Sequence, residues 1–216
     1  MRVVYLHGFA SSPQSSKAQF FGRKFREAGV DFEAPSLDRG DFEKLTITGQ
    51  LEVIEEAVRR TAAGPVETVV MGSSLGGYLA ALYASQAGAA VEKLVLMAPA
   101  FQFLDRWRKR LSAEDMTQWQ QQGWAPVYHY GAKREMRLGR QFLDDSEKYP
   151  ATPEFLQPAL ILHGTNDPVV PCEASSRYAA AHPRTRLVLL DSGHELTDVL
   201  DTMWAEIAEF LLHQIC

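Results

Sequence analysis

The sequence predicts an α/β fold in which a doubly wound, mostly parallel six-stranded sheet is covered by helices on both faces. Six short apolar runs alternate along the chain with longer segments of helical periodicity. These runs are nearly continuous rather than alternating with polar residues, which is typical of parallel strands buried on both faces. Because parallel neighbours need crossover connections, the intervening helices fit between consecutive strands.

The predicted strands are the apolar runs, and they comprise Arg2–Leu6, Asp31–Ala34, Glu67–Met71, Lys93–Ala98, Ala159–His163 and Arg186–Leu190. The predicted helices lie between or after them, and they comprise Ser16–Ala28, Ile47–Ala63, Leu75–Ala87, Glu173–Ala181 and Val199–His213. In the second helix, Leu51, Ile54 and Val58 recur at helical spacing and mark one apolar face. Met203 and Ile207 do the same in the last helix.

The segment between Pro99 and Pro158 interrupts this alternation. It contains no good candidate strand and is rich in charged and aromatic residues. Loops of this length inside a compact domain are rarely structureless. We therefore expect a helical cap at about residues 101–155, inserted into a single domain that spans residues 1–216. The predicted substrate contacts are cap aromatics, which could instead fasten the cap to the core; they are Trp107, Trp119, Trp124 and Tyr128.

The composition limits the classes of function that this chain can have. The chain has 216 residues, 46% of them hydrophobic, which is enough to bury a sizeable core. A net charge of −5 gives no electrostatic reason to expect a nucleic-acid partner. No apolar stretch approaches the roughly 18 residues of a membrane span, and we expect no signal peptide before the first strand. Cys172 and Cys216 are the only cysteines, so we expect inert thiols and a cytoplasmic location. The sequence favours no particular oligomeric state.

The stretch Gly72–Gly76 reads G-x-S-x-G between a predicted strand and a predicted helix. This setting is typical of the nucleophile elbow of an α/β-hydrolase, a sharp turn that lifts its central residue clear of the sheet. Glycine is needed on both sides because a Cβ there would collide with neighbouring backbone. Ser74 is central and is the predicted nucleophile. Ser73 lies one place off the pattern, and we expect it to face the interior.

An acid and a base follow the elbow in the order that this fold uses. Asp167 lies in the polar turn after one predicted strand, and His194 lies in the loop after the next. We expect His194 to take the proton of Ser74 and Asp167 to orient the imidazole. Three other carboxylates near His194 are alternatives for the acid, and they are Asp191, Glu195 and Asp198.

The oxyanion of the tetrahedral intermediate needs two backbone N–H donors. One is expected from Leu75, which starts the helix after the elbow, and the other from Phe9 or Ala10 in the turn after the first strand. His7 precedes this turn and could act as a base, although we expect it to brace the turn.

Two other histidines lie outside the predicted triad and oxyanion turn. We expect His163 to brace its turn and His129 to lie on the surface of the cap, with contact to the substrate as the alternative for His129. No His, Cys or Asp cluster has metal-ligand spacing, so no metal is expected. The chain carries no nucleotide-binding glycine motif, so no cofactor is expected.

The opening Tyr5-Leu6-His7-Gly8-Phe9-Ala10-Ser11-Ser12-Pro13-Gln14-Ser15-Ser16-Lys17-Ala18 and the elbow Gly72-Ser73-Ser74-Leu75-Gly76-Gly77-Tyr78 resemble the YqiA/YcfP-type family of small bacterial α/β-hydrolases. The His-Gly turn and the elbow are also similar, more loosely, to the ABHD10-type thioesterases. The resemblance covers Val3 to Pro99 and Pro158 to the C-terminus, with Ser74, Asp167 and His194 at the triad positions. It implies esterase or thioesterase activity on acyl substrates.

The residues and the resemblance together predict a serine hydrolase that acts on a small-molecule acyl ester or thioester. An amidase or peptidase is the alternative within enzymes, and it demands more precise proton delivery from His194 to the departing amine. The alternative outside enzymes is a ligand-binding protein that keeps the pocket of this fold without its chemistry.

Overall fold

A computed structural model of the chain describes residues 1–60, 66–87 and 91–212. The strands are β1 Arg2–Leu6, β2 Asp31–Glu33, β3 Thr68–Ser73, β4 Lys93–Met97, β5 Trp124–His129, β6 Arg134–Gly139, β7 Ala159–Gly164 and β8 Thr185–Leu190. Six of them form one sheet in the order β2-β1-β3-β4-β7-β8, and every pairing in it is parallel. The predicted six-stranded sheet is therefore confirmed.

The helices are α1 Ser16–Glu27, α2 Ile47–Arg59, α3 Leu75–Ala87, α4 Phe103–Arg110, α5 Ala113–Gln122, α6 Gln141–Ser146, α7 Cys172–Ala181 and α8 Leu200–Leu212, with a 3₁₀ turn at Phe42–Lys44. Side-chain hydrogen bonds cap the first turn of two of these helices. Thr46 caps α2 by accepting a hydrogen bond from the Gly49 N–H, and Ser15 caps α1 in the same way. The last residues of the second predicted helix and His213 lie outside the described residues. None of the described helices is long and apolar enough to cross a membrane.

The core consists of two apolar layers, one on each face of the sheet. Successive side chains of a strand point to opposite faces, and β1 divides accordingly. Val4 and Leu6 pack in the layer that also holds α2, α3 and the cap. Val3 and Tyr5 pack in the layer covered by α1 and α8. Because both faces are buried, the strands need the continuous apolar runs from which they were predicted.

The parallel register brings four loops to one edge of the sheet. Leu6 at the end of β1 pairs with Gly72 in β3, and Ser73 pairs with Met97 at the end of β4. The carboxyl ends of parallel strands meet at a single edge, where open α/β sheets form their sites. The turns after β1, β3, β7 and β8 therefore converge.

The cap differs from the prediction in one respect. It contains α4, α5 and α6, but β5 and β6 form an antiparallel hairpin between them, with Trp124 paired to Gly139 and His129 to Arg134. The expectation that this segment holds no strand is wrong. The hairpin forms because Met136 and Leu138 alternate with charged residues and turn one face toward the core.

Candidate active site

The turn between β3 and α3 holds Ser74 in a strained conformation. Its φ of 54° lies in the left-handed region that non-glycine residues seldom occupy. The turn is tight on both sides of this serine. A Cβ on Gly72 would lie 2.1 Å from the carbonyl oxygen of Gly76, and one on Gly76 would lie 2.1 Å from that of Leu6. Only glycine fits at either position, as the spacing of the motif predicts. Ser73 is buried beneath the turn.

Ser74, His194 and Asp167 are joined by hydrogen bonds across the carboxyl edge of the sheet. The Nδ1 of His194 lies 2.7 Å from Oδ2 of Asp167, and its Nε2 lies 3.0 Å from Oγ of Ser74. An ionised carboxylate only accepts, so Nδ1 carries the proton and Nε2 is free to accept the serine hydroxyl proton. The hydroxyl of Ser74 therefore lies within hydrogen-bonding distance of the imidazole that would accept its proton.

The Asp167 carboxylate has no solvent contact and is held from several directions. Its Oδ1 accepts hydrogen bonds from the N–H groups of Val169 and Val170, at 2.7 and 2.8 Å. Burial alone would raise the pKa of Asp167. The hydrogen bonds from His163, His194 and Val170 outweigh it and hold the pKa well below its usual range. The carboxylate therefore stays ionised beside the imidazole.

His163 is a partner of Asp167 that the sequence did not reveal. Its fully buried ring places Nε2 3.2 Å from Oδ2 of Asp167 and 2.9 Å from the carbonyl oxygen of Val170, while Nδ1 lies 2.7 Å from Oγ of Ser175. A carbonyl oxygen only accepts, so Nε2 carries the proton and Nδ1 accepts from the serine hydroxyl. His163 thus braces the turn, as expected, and also donates to the acid.

His163→Leu is expected to weaken the fold most at neutral pH. A carboxyl whose pKa is lower in the folded chain than its unfolded value of about 3.9 stabilises the fold above that value, and the contribution is lost as the pH falls through the folded pKa. Without the His163 donor, burial raises the pKa of Asp167. We expect the free energy of unfolding, measured in urea, to drop by at least about 2 kcal/mol at pH 7. His163→Gln retains a donor and should lose less.

The difference in the free energy of unfolding between the native protein and His163→Leu should then shrink as the pH falls through the acidic range toward the low pKa of Asp167 in the folded native protein, because the native protein loses this stabilisation there. An equal loss at neutral and acidic pH would contradict the assigned role of this histidine.

The three alternative carboxylates have partners other than His194. Asp191 accepts from the side chain of Asn166 at 2.8 Å, and Asp198 accepts from the hydroxyl of Ser192 at 2.5 Å. Glu195 is an ion-pair partner of Lys17, whose Nζ also donates to the Glu195 carbonyl oxygen at 2.5 Å. These contacts fix the loop that carries His194, and they leave Asp167 as the carboxylate bonded to it.

The turn after β1 lies directly against the elbow. A Cβ on Gly8 would lie 3.6 Å from Cβ of Ser74. The predicted donors Phe9 and Ala10 are the next two residues of this turn. Ala10 has a φ of 52°, and its carbonyl oxygen accepts from the N–H of Gly131 at 3.4 Å. The cap hairpin therefore contacts the predicted oxyanion turn. Leu75 is the first residue of α3, where the helix dipole favours negative charge.

Two histidines near this turn are buried. The ring of His7 contacts the carbonyl oxygen of Gly8 at 3.0 Å and accepts from the N–H of Leu37 at 3.4 Å, which fits a brace rather than a base. His129 is only 5% exposed, accepts from the N–H of Ala132 and packs on Phe42. The expectation of a surface position for His129 is wrong, because the hairpin turns this residue inward.

A cavity of about 180 Å³ opens beside Ser74, and its lining is mostly apolar. The lining residues are Phe9, Ser74, Leu75, Ala100, Phe103, Arg106, Trp107, Phe142, Val169 and Val170. We call it the acyl cavity, after the group that we propose it binds. It joins the elbow to the cap, since three of its aromatic rings come from the cap.

Of the four cap aromatics predicted to contact substrate, only Trp107 lines the acyl cavity. Trp119 is buried behind it, with the two rings 5.5 Å apart and its Nε1 donating to the Leu138 carbonyl oxygen. Trp124 lies beneath the guanidinium of Arg137, and Tyr128 is half exposed. Two other aromatic residues of the cap, Phe103 and Phe142, line the acyl cavity instead. Within the described residues, no three His, Cys, Asp or Glu side chains are grouped to hold a metal ion.

Comparison with known proteins relates this arrangement to a family and a fold. The model of the family described as Uncharacterised protein family (UPF0227) matches residues 2–211. This match confirms the resemblance to the YqiA-type proteins. A search of the curated proteins found no match.

Solved structures show the same fold. Est1E from Butyrivibrio proteoclasticus with ferulic acid bound is 19% identical, with a TM-score of 0.84 over 99% of this chain and 89% of that one. Mouse alpha/beta hydrolase domain-containing protein 10 is 19% identical, with a TM-score of 0.79 over 97% and 89%. A structure of the metagenome-derived lipolytic enzymes LipS and LipT is 20% identical, with a TM-score of 0.69 over 96% and 93%. The chain has the α/β-hydrolase fold.

Proposed function

The chain belongs to the protein family UPF0227, and we propose that it is a serine hydrolase that cleaves carboxylic esters or thioesters of acyl groups through an acyl-enzyme. One observation carries the proposal. Ser74, His194 and Asp167 form a continuous hydrogen-bonded chain, with contacts of 3.0 and 2.7 Å, at the carboxyl edge of a parallel sheet. Nucleophile, base and orienting acid in this geometry are what acyl transfer requires.

In the first half-reaction, the Oγ of Ser74 attacks the acyl carbonyl carbon while Nε2 of His194 takes the hydroxyl proton. Asp167 stabilises the imidazolium without taking the proton itself. The N–H of Leu75 and that of Phe9 or Ala10 hold the oxyanion. His194 then returns the proton to the alcohol or thiol that leaves. In the second half-reaction, His194 takes a proton from a water molecule that attacks the acyl carbonyl carbon. The bond between this carbon and Oγ of Ser74 then breaks, which releases the carboxylic acid, and His194 returns the proton to Oγ.

The cavity favours a small acyl group. Its volume of about 180 Å³ lies below the roughly 300–1,000 Å³ typical of pockets for drug-sized molecules. Apart from Ser74 and Arg106, the lining residues are apolar and suit a hydrocarbon acyl chain. Lipolytic enzymes and a protein with ferulic acid bound share this fold, which is consistent with action on esters of carboxylic acids.

An activated fluorophosphonate tests the proposal without knowledge of the natural substrate, because it phosphonylates only serines that a neighbouring base activates. We expect one adduct per chain, on the peptide that contains Ser74, by mass spectrometry. His194→Ala should slow labelling by at least about 10³-fold, because the hydroxyl loses its base. Adducts elsewhere, or equal rates in the two proteins, would contradict the proposal.

A further inference from the structure

A second cavity of about 240 Å³ shares Phe103 with the acyl cavity. It is lined by Phe103 and residues of α3, α4, α6 and the segment that follows α6, and none of its other lining residues reaches the acyl cavity. Phe103 is therefore the wall that the two cavities share.

The ring of Phe103 is held in this place by two neighbours. It lies 5.1 Å from the ring of Tyr78 and 6.1 Å from that of Phe142, measured between centroids. Aromatic pairs at these separations and tilts are favourable beyond the area they bury. Tyr78 is itself fixed, since its hydroxyl donates to the Pro150 carbonyl oxygen at 3.0 Å. Phe103 is half-buried, so a smaller residue could replace it without opening the core.

The second cavity has a mixed lining. Phe103, Leu104 and Ala151 supply apolar surface, and polar groups come from Asp105, Ser146 and Tyr149 among others. Its outer rim carries the ion pair between Arg108 and Glu147, whose side chains are both exposed. An aliphatic chain that passed Phe103 would be covered first and would then reach solvent between α4 and α6.

The direction of the acyl cavity indicates which part of the substrate enters it. His194 must protonate the leaving group, so that group lies on the histidine side of Ser74. The lining of the acyl cavity does not include His194 but does include Leu75, whose N–H is the predicted oxyanion donor. The acyl chain, which extends away from the leaving group, is the part that points toward Phe103.

We propose that Phe103 sets the upper limit of acyl-chain length, so that the native protein acts on esters and thioesters of short acyl groups. This rests on the function proposed above and adds its substrate class. Removal of the ring joins the two cavities into a volume within the range of about 300–1,000 Å³ that accepts larger ligands. Long acyl chains then bind through Phe103→Ala and extend toward the rim at Arg108.

The test compares kcat/KM for p-nitrophenyl esters from acetate to decanoate in the native protein, Phe103→Ala and Phe103→Leu. Burial of even one more methylene in a hydrophobic pocket is worth about 10-fold or more. We expect the ratio of decanoate to butyrate to rise by at least about 10-fold in Phe103→Ala. It should rise less in Phe103→Leu, which disturbs packing least. Tyr130→Ala, an aromatic truncation at a residue that is 70% exposed in the same cap, should leave the ratio unchanged.

A parallel series of alkyl acetates, in which the alcohol and not the acyl chain lengthens, separates the two sides of the site. A shift in that series alone would overturn the assignment of the acyl chain to Phe103. An unchanged decanoate-to-butyrate ratio in an active Phe103→Ala would overturn the length limit and leave the serine hydrolase intact. Absence of Ser74-dependent turnover in the native protein would overturn both.

Discussion

Ser74→Ala is expected to lower kcat for ester hydrolysis by about 10⁴- to 10⁶-fold and to change KM little. Without Oγ, the Nε2 of His194, 3.0 Å away in the native protein, has no hydroxyl to deprotonate, and no acyl-enzyme forms. The acyl cavity and the oxyanion donors remain, so binding and a small residual rate should persist. The measurement is kcat and KM on p-nitrophenyl butyrate and on a matching acyl thioester.

Ser73→Ala is the matched control, because it removes a hydroxyl from the adjacent residue. Ser73 is 5% exposed and lies beneath the turn near the buried Tyr5, whereas Oγ of Ser74 faces His194. Ser73→Ala should retain nearly full activity. Equal residual rates in Ser74→Ala and the native protein would exclude Ser74 as the nucleophile. A native protein that binds the ester without turnover, and binds it equally well after Ser74→Ala, would favour the ligand-binding alternative.

Local sequence patterns predicted those parts of the molecule that depend on short-range geometry. A strand buried on both faces needs a continuous apolar run, which is why β1 and β7 were found at nearly their observed ends. The elbow was found for a similar reason. At each of its two glycines, a backbone atom lies about 2 Å from where a Cβ would be. Only glycine fits there, and the G-x-S-x-G spacing records this requirement in the sequence.

The features that the sequence did not reveal depend on tertiary contacts. The contact of His163 with Asp167 requires the turn after β7 to fold back on its own strand, and no spacing rule encodes that turn. In the cap, Phe103 and Trp119 are both large aromatic residues that can pack in a core or line a site. Whether Phe103 or Trp119 faces Ser74 is decided by how α4 and α5 pack, which composition does not specify.

Gly76→Ala is expected to prevent stable folding, with a loss of more than about 4 kcal/mol in the free energy of unfolding. The added Cβ would lie 2.1 Å from the carbonyl oxygen of Leu6 and 2.6 Å from that of His7. Both oxygens are backbone atoms at the end of β1 and in the turn that follows it, so no side-chain rotation can relieve the contact. The start of α3 would have to move away from the sheet, and a domain stabilised by about 5–15 kcal/mol has little reserve for this. Urea unfolding followed by circular dichroism measures the loss.

Gly193→Ala provides the matched control, because a Cβ there meets nothing within 4 Å and its backbone is not in the left-handed region. It should change the free energy of unfolding by less than about 1 kcal/mol. If Gly76→Ala were as stable as Gly193→Ala, the elbow would have to be looser than these distances imply. The close approach of α3 to β1 would then not be what holds Ser74 at its φ of 54°. A large loss confined to Gly76→Ala would instead show that the geometry of the candidate nucleophile depends on the packing of α3 against the end of β1.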